Sequence, residues 1–220
     1  DVLACAGSVT ATRGNQNNEL GVPNTLLSAD ADTQNVVVEM GMRGLGQIES
    51  LCSFVRPEWG IVTQVGESHI ELLGSRENIA RAKSELIAAL PEGGIAFLNG
   101  ADDMSDFVWE NARGAERGVR AVCFDGSGEY CEEKASGWRA GRAVWATDIL
   151  LDDAGCASFT LVARGFSEGA ARIAQRAVSG AGGDAVCRDA AGFDGSANGV
   201  AVEGGAAGFA AACEGRAGQA

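Results

Sequence analysis

The feature that most constrains the fold of this 220-residue chain is an alternation of short apolar runs with helical segments. Four apolar runs predict strands, and they lie at residues 36–40, 60–65, 95–98 and 119–124. Short runs without polar alternation are typical of strands buried on both faces of a parallel sheet. Helical segments separate them, so the sequence predicts an α/β protein with a mostly parallel sheet flanked by helices.

Further elements frame this sheet. Residues 1–6 are predicted to end a helix that Gly7 closes, and a strand follows at 8–12. A helix already under way at residue 1 indicates that the sequence is a fragment of a longer protein. The remaining predicted elements are helices at 23–27, 48–55, 75–90 and 104–117, and an antiparallel hairpin with strands at 143–151 and 157–163.

The composition changes after residue 166. Of the 54 residues at 167–220, 29 are Ala or Gly, and none is Leu, Trp, Tyr, Met, Pro or Lys. Such a stretch lacks the large apolar groups that offset the entropy cost of ordering, so we predict a largely disordered tail. Two origins stay open: a flexible tail, or a frameshift near Ser167, since GC-rich codons read out of frame yield mainly Ala, Gly and Arg. The predicted domains are 1–166 and 167–220.

The charge of the chain excludes some classes of partner. Its formal net charge is −13. Nucleic acids and anionic membrane surfaces bind proteins through clustered basic side chains, so we expect neither nucleic acid nor a membrane as a partner. No apolar run is long enough to span a membrane, and no signal peptide opens the chain. The seven cysteines include no Cys-x-x-Cys pair. We therefore expect a cytoplasmic protein with reduced thiols, most of which fill the core.

A lysine lies on the apolar face of the helix predicted at 75–90. Ser75 is a suitable N-cap, and Ile79, Leu86 and Leu90 recur at helical spacing with Lys83 inside their stripe. A lysine there must extend to solvent, find an anion or lose its charge, because burying an unpaired ammonium is costly. Two interpretations stay open: a stem that covers apolar surface, and a neutral amine available for chemistry.

Other polar residues are candidates for a site at the carboxyl edge of the sheet, where open α/β sheets bind ligands. Glu39 lies near the end of the run 36–40, and His69, the only histidine, follows the run 60–65. The loop 13–21 is dense in side-chain amides, namely Asn15, Gln16, Asn17 and Asn18. Each feature has a plain alternative: Glu39 as a solvated carboxylate, and the amides as a solvated loop.

These residues belong to a series of motifs that resembles the Mur ligase family. The motifs are TRGNQNNELGVP at 12–23, VEMG at 38–41, VGESH at 65–69, ARAK at 80–83 and LN at 98–99. The resemblance covers about residues 1–161 and is closest to the members that add D-alanyl-D-alanine to UDP-N-acetylmuramoyl-tripeptide. It implies that 1–166 is part of the family's central, ATP-binding domain.

The resemblance implies ATP and Mg²⁺ as cofactors and a role for individual residues. In this family ATP converts a substrate carboxylate into an acyl-phosphate, and an amine displaces the phosphate. Glu39 and His69 match metal ligands of the family. His69 is also expected to take part in catalysis. Asn99 matches the asparagine beside the adenine ring. Lys83 matches the lysine that carbon dioxide carbamylates, which would make it a catalytic group and a metal ligand through its carbamate. The residues expected to contact the substrate or shape the phosphate site are Thr12, Asn15, Asn17 and Asn18.

Parts of the family pattern have no counterpart in this sequence. These are the phosphate-binding glycine loop, the N-terminal domain that holds UDP and the C-terminal domain that carries the incoming dipeptide. We therefore expect negligible ligase activity from the chain by itself, because ATP phosphates would lack their backbone N–H cradle. The intact enzyme is expected to be a monomer.

Two alternatives to this function stay open. The first is another ligase of the superfamily, such as the folylpolyglutamate type, which is not expected to share the Asn-x-Asn-Asn-Glu loop at 15–19. The second is a non-catalytic acidic binding module that retains the fold.

Overall fold

A computed structural model describes residues 3–5, 7–130, 135–153, 155 and 157–166, together with three later strands at 170–179, 185–189 and 194–196. The chain divides into two compact units. The first unit is Gly7–Val122, and the second unit is Asp1–Ala6 with Cys123–Ala220. All candidate site residues lie in the first unit.

The first unit alternates strands and helices. Its helices are α1 Gly21–Leu27, α2 Gln47–Val55, α3 Ile70–Leu73, α4 Arg76–Ala88 and α5 Ser105–Asn111. Its strands are β1 Val9–Ala11, β2 Asn35–Val37, β3 Trp59–Val62 and β4 Ile95–Asn99, and β5 Arg120–Asp125 begins in it. Strand β1 pairs in parallel with β2, β3 pairs in parallel with β4, and β4 lies between β3 and β5. The predicted α/β architecture is confirmed.

Strand β2 differs from its prediction. It ends at Val37, so Glu39 follows the strand by two residues, and Val36 is 43% exposed. The prediction of a strand at 36–40 buried on both faces is therefore wrong. Within the described residues, β1 and β2 form a sheet of their own. A sheet of two strands gives each strand one neighbour, which leaves part of its surface uncovered.

Helix α4 forms as predicted and supplies much of the core. Ile79, Ala80, Ala82 and Ile87 are at most 1% exposed. The helix lies close against β3 at Gly60, where an added Cβ would come within 3.1 Å of Leu86 Cγ and 3.3 Å of Ile87 Cδ1. The apolar stripe read from the sequence is thus the buried face of the helix.

The N-cap of α4 makes a testable contribution to stability. Ser75 Oγ accepts a hydrogen bond from the Asn78 N–H at 3.2 Å. We expect Ser75→Ala to lower the free energy of unfolding by about 1 kcal/mol, because that N–H loses its partner. Urea denaturation followed by circular dichroism measures the change. Ser136→Ala is the matched control, since Ser136 precedes a 3-10 helix without a side-chain cap bond; an equal loss there would contradict the assignment.

The carboxylate of Glu85 connects α4 to α2. Its two oxygens accept hydrogen bonds from the N–H groups of Gly46 and Glu49, at 2.6 and 3.0 Å. The first N–H groups of a helix have no partner within the helix, and a carboxylate there also interacts favourably with the helix dipole. Glu85 therefore fixes the start of α2 against α4.

Helix α5 is shorter than the predicted 104–117. It ends at Asn111, and Arg113 has a φ of 53°, in the left-handed region. A Cβ at Gly114 would come within 2.3 Å of the Trp109 ring, so only glycine fits where the indole folds back over the chain. This contact is compatible with a turn and not with a continuing helix.

The second unit is mainly antiparallel. It contains β6 Arg142–Leu151, β7 Ala157–Arg164, β8 Ala170–Ser179, β9 Ala185–Asp189 and β10 Asp194–Ser196, and 3-10 helices at Leu3–Cys5 and Gly137–Ala140. Strands β6 and β7 pair with Ala143 opposite Arg164, which confirms the predicted hairpin. Of the helical end predicted at residues 1–6, the described residues Leu3–Cys5 form a 3-10 helix.

Strands β8 to β10 fall in the stretch 167–220, for which disorder is predicted. Strand β8 pairs antiparallel with β7, and β9 pairs with β8 and β10. These three strands are part of the stretch, and its largely disordered character stays a prediction. The rest of the predicted tail lies outside the described residues.

The structure also bears on the predictions made for the cysteines and for membrane crossing. Cys52 and Cys123, in the part of the chain that is described, are buried free thiols, as predicted for cysteines that fill the core. Burial raises the pKa of the Cys52 thiol to about 11, with the nearby charge of Glu85 as a second cause. No helix of the described ranges has the length and apolar character that crossing a membrane requires.

Candidate active site

The amine of Lys83 reaches from α4 to the segment that follows β3. Its Nζ donates a hydrogen bond to the Gln64 carbonyl at 2.6 Å. Burial lowers the pKa of Lys83, and the charge of Asp102 partly opposes this. The amine thus does not simply extend to solvent, and its neutral form is more accessible than that of an exposed lysine.

Asn99 binds the same segment from the end of β4. Its Nδ2 donates to the Thr63 carbonyl at 2.9 Å, and its Oδ1 accepts from the Ala101 N–H at 2.9 Å. Asn99 and Lys83, predicted from separate motifs, are therefore brought to adjacent carbonyls of one segment at the carboxyl end of β3.

Two residues that sequence reasoning missed also hold this segment. Asp102 is 9% exposed, and its carboxylate accepts hydrogen bonds from the Val65 N–H and, at 2.9 Å, from the Met104 N–H. Arg76 Nη2 donates to the Val65 carbonyl at 3.0 Å. The one sequence signal for Asp102 was its position two residues before Met104, where an Asp side chain can accept from the backbone at the start of a helix.

Arg76 is itself held by a carboxylate. Its Nη1 and Nη2 bind Asp103 Oδ2 and Oδ1 at 3.0 and 2.6 Å, a two-point contact. This pairing raises the pKa of Arg76 and lowers the pKa of Asp103. The planar guanidinium geometry fixes orientation as well as distance, which a single ammonium contact would not do.

His69 lies in the loop that follows this segment. It is half-buried, has a φ of 65° and immediately precedes α3. Its carbonyl accepts hydrogen bonds from the Leu72 and Leu73 N–H groups, both at 3.0 Å. Left-handed backbone at a residue other than glycine costs energy and is frequent at functional sites.

Glu39 lies at the end of the β1–β2 pair and is bound by two of the predicted loop residues. Its N–H donates to Thr12 Oγ1 at 3.0 Å, and its Oε1 accepts from Asn17 Nδ2 at 2.7 Å. The Asn17 carbonyl accepts from the Gly41 N–H at 2.8 Å, and a Cβ at Gly41 would come within 2.7 Å of Asn17 Oδ1. Asn17 therefore orients the Glu39 carboxylate.

The remaining loop residues have other surroundings. Asn18 Oδ1 accepts from the Leu20 and Gly21 N–H groups at 3.1 and 2.9 Å, which stabilises the entry into α1. Asn15 is exposed. Contact of Thr12, Asn15, Asn17 and Asn18 with a substrate stays a prediction.

The predicted residues thus form two groups, one around the end of β3 and one around Glu39. Over the described ranges, no cluster of three or more His, Cys, Asp or Glu side chains has the spacing to hold a metal ion. Metal binding by Glu39, His69 and Lys83 stays a prediction.

Comparison with protein families decides which family these motifs represent. The model of the Mur ligase middle domain matches residues 1–160. The chain belongs to this family. The resemblance drawn from the motifs is confirmed, as are the fold that it implied and its closeness to the D-alanyl-D-alanine-adding members.

Curated relatives agree with the family match. The UDP-N-acetylmuramoyl-tripeptide--D-alanyl-D-alanine ligase of Synechocystis sp. is 50% identical over 98 residues, which are 44% of this chain and 22% of that protein. The ligase of the same name from Mycobacterium bovis is 37% identical over 160 residues, 73% of this chain and 28% of that protein. The chain therefore spans between a fifth and a third of the length of these Mur ligases.

A solved structure has the same fold. The crystal structure of MurF from Acinetobacter baumannii superposes with a TM-score of 0.65 at 28% identity, covering 80% of this chain and 34% of that one. The likeness extends over most of the chain and supports the Mur ligase fold for the units described above.

Proposed function

We propose that this chain acts as the central, ATP-binding part of a cytoplasmic ligase of peptidoglycan precursor synthesis. The ligase would add D-alanyl-D-alanine to UDP-N-acetylmuramoyl-tripeptide through an acyl-phosphate, as the names of its relatives suggest. One observation of this chain carries the proposal: the Lys83 amine, with a pKa lowered by burial, lies on the Gln64 carbonyl just ahead of the His69 loop.

Such an amine is suited to react with carbon dioxide. The neutral Nζ attacks the carbon atom of carbon dioxide, a C–N bond forms while one C=O π bond opens with its electron pair going to oxygen, and the nitrogen loses one proton to solvent. The product keeps one N–H, which can still donate to the Gln64 carbonyl, and gains two carboxylate-type oxygens. The hydrogen bond at 2.6 Å would then orient the carbamate.

By donor chemistry, the carboxylate of Glu39 and a carbamate on Lys83 suit a magnesium ion, the metal that the family implies. Glu39, His69 and the carbamate of Lys83 would hold it, since magnesium prefers oxygen ligands and is usually bound by one or two carboxylates together with phosphates. When bound, it would neutralise charge on phosphate and carboxylate oxygens. Asn17 would keep the Glu39 carboxylate in a single orientation through its 2.7 Å bond.

Asn99 has the capacity to bind a nucleotide base. One of its two amide N–H bonds is directed to the Thr63 carbonyl, and its oxygen accepts from Ala101. The second N–H is the donor that we propose for the adenine ring of ATP. The bonds to Thr63 and Ala101 would hold the amide plane in place for that contact.

The carbamate can be tested directly because the chain contains only two lysines, Lys83 and Lys134. We expect ¹³C-bicarbonate to give a lysine carbamate resonance in the NMR spectrum, which Lys83→Arg removes and the matched control Lys134→Arg leaves. Mn²⁺, used as a paramagnetic probe, should broaden this resonance, and Glu39→Gln should weaken that effect. A resonance that persists in Lys83→Arg, or its absence from the unsubstituted chain, would contradict the proposal.

A further inference from the structure

We propose that Asp102 and Arg76 are positioning residues that close the base of the loop at residues 66–75, which contains His69 and is called the His69 loop. The functional role of His69 rests on the function proposed above. Asp102 and Arg76, together with Asp103, grip both polar groups of the Val65 peptide. We refer to Val65, Arg76, Asp102 and Asp103 as the Val65 clamp.

The clamp binds backbone that the sheet does not. Strand β3 ends at Val62, so the N–H and C=O of Val65 lie beyond the strand ladder, and the residue is only 2% exposed. Buried backbone groups of this kind need partners within the protein. Asp102 supplies the acceptor and Arg76 supplies the donor.

The contacts form a closed ring. Asp102 binds the Val65 N–H, Asp103 follows it in the chain, and Asp103 holds the guanidinium of Arg76 at two points. Arg76 then returns to the Val65 carbonyl. Through these contacts Val65 is joined both to the start of α4 and to the turn before α5.

The ring also determines where the His69 loop begins and ends. The chain leaves the clamp at Val65 and returns to it at Arg76, so residues 66–75 form a loop whose two ends are joined by the Arg76–Val65 bond at 3.0 Å. Within it, the Ile70 N–H bonds the Glu67 carbonyl at 3.0 Å and His69 takes its left-handed conformation. Closing the base reduces the number of conformations available to the loop.

If Asp102 and Arg76 only stabilised the fold, substituting them would speed amide exchange throughout the first unit. If they position the loop, exchange should speed up in the loop alone. Hydrogen exchange of backbone amides separates the two. We expect Arg76→Met to speed exchange of the hydrogen-bonded loop amides of Ile70, Leu72 and Leu73 by about tenfold, equivalent to about 1.4 kcal/mol, while the amides of β4 keep their rates. The affinity for Mn²⁺ alone should fall by a similar factor, because His69 would no longer be held in one place.

Further variants guard against misfolding and against a charge effect. Asp103→Asn leaves Arg76 in place but weakens its two-point support, so it should reproduce the loop-specific change more mildly, and Arg76→Lys should restore part of the protection. Glu71→Gln is the matched control for Asp103→Asn, since it makes the same charge change on an exposed residue of the loop that is not part of the Val65 clamp. Its exchange rates should equal those of the unsubstituted chain.

The possible results separate the clamp from the proposed function. Equal acceleration in the loop and in β4, or no acceleration in the loop, would overturn the positioning role. Absence of Mn²⁺ binding by the unsubstituted chain would count against the proposed function, and the exchange rates would still decide whether the clamp closes the loop. Asp102→Asn tests the second half of the clamp in the same way, since it weakens the acceptor of the Val65 N–H.

Discussion

Ile87→Ala is expected to lower the free energy of unfolding by about 2–5 kcal/mol, the largest stability loss that we predict for a single substitution in the first unit. Ile87 is 0% exposed and lies against Gly60 of β3. Removing its side chain leaves a cavity between helix and strand, and the lost contacts are not replaced. Urea denaturation measures the loss, and Leu72→Ala, at a side chain that is 60% exposed, is the control with a small expected effect.

The tight contact at Gly60 allows a second test of the same packing, with Gly60→Ala alone and combined with Ile87→Ala. Gly60→Ala alone should destabilise, because the new Cβ would come within 3.1 Å of Leu86 Cγ and 3.3 Å of Ile87 Cδ1. In the Ile87→Ala background the same methyl group occupies part of the cavity. We expect the double variant to lose less free energy of unfolding than the two single variants lose together. Strict additivity of the two losses would argue against direct packing at this point.

Lys83→Met is expected to abolish carbamate formation and the metal affinity that depends on it while preserving the folded structure at neutral pH. Methionine has a similar length, avoids the cost of a half-buried ammonium and gives up the bond to Gln64. ¹³C NMR and Mn²⁺ binding measure the loss of chemistry, and denaturation measures stability. A large loss of stability in Lys83→Met would mean that the lysine is retained for structure.

The pH dependence of the free energy of unfolding also distinguishes the unsubstituted chain from Lys83→Met. The pKa of Lys83 in the folded chain is below its ordinary 10.5. Between these two values the unfolded chain binds more protons, so the free energy of unfolding rises with pH. Relative to Lys83→Met, the unsubstituted chain should therefore gain stability from the folded pKa up to about 10.5, and a difference that falls over this range would contradict the burial of the amine.

The parts of the fold that sequence could predict are those with local repetition. Helix α4 was readable because one face must be apolar at every third or fourth residue, and the hairpin at β6 and β7 because its runs flank a short turn. Lys83 stood out because a charged residue interrupted such a face. A local pattern also overestimated β2, since the number of neighbouring strands, which decides burial, is not encoded in the run itself.

The Val65 clamp could not be found in this way. Asp102 and Val65 are 37 positions apart, and Arg76 and Val65 are 11 apart, with no periodicity that connects them. Their pairing depends on where β3 ends relative to β4 and α4, which only the three-dimensional arrangement determines. The Asn17–Glu39 bond likewise joins residues 22 positions apart, so the sequence predicted both residues without predicting that one orients the other.

The lowered pKa of Lys83 has a consequence for competition among the amines of the chain. At a given pH below 10.5, a larger share of its amine is neutral than in an ordinary lysine, and only the neutral form attacks an electrophile. The chain contains one other lysine, Lys134. Carbon dioxide at neutral pH should therefore react with Lys83 before it reacts with a lysine whose pKa is not lowered.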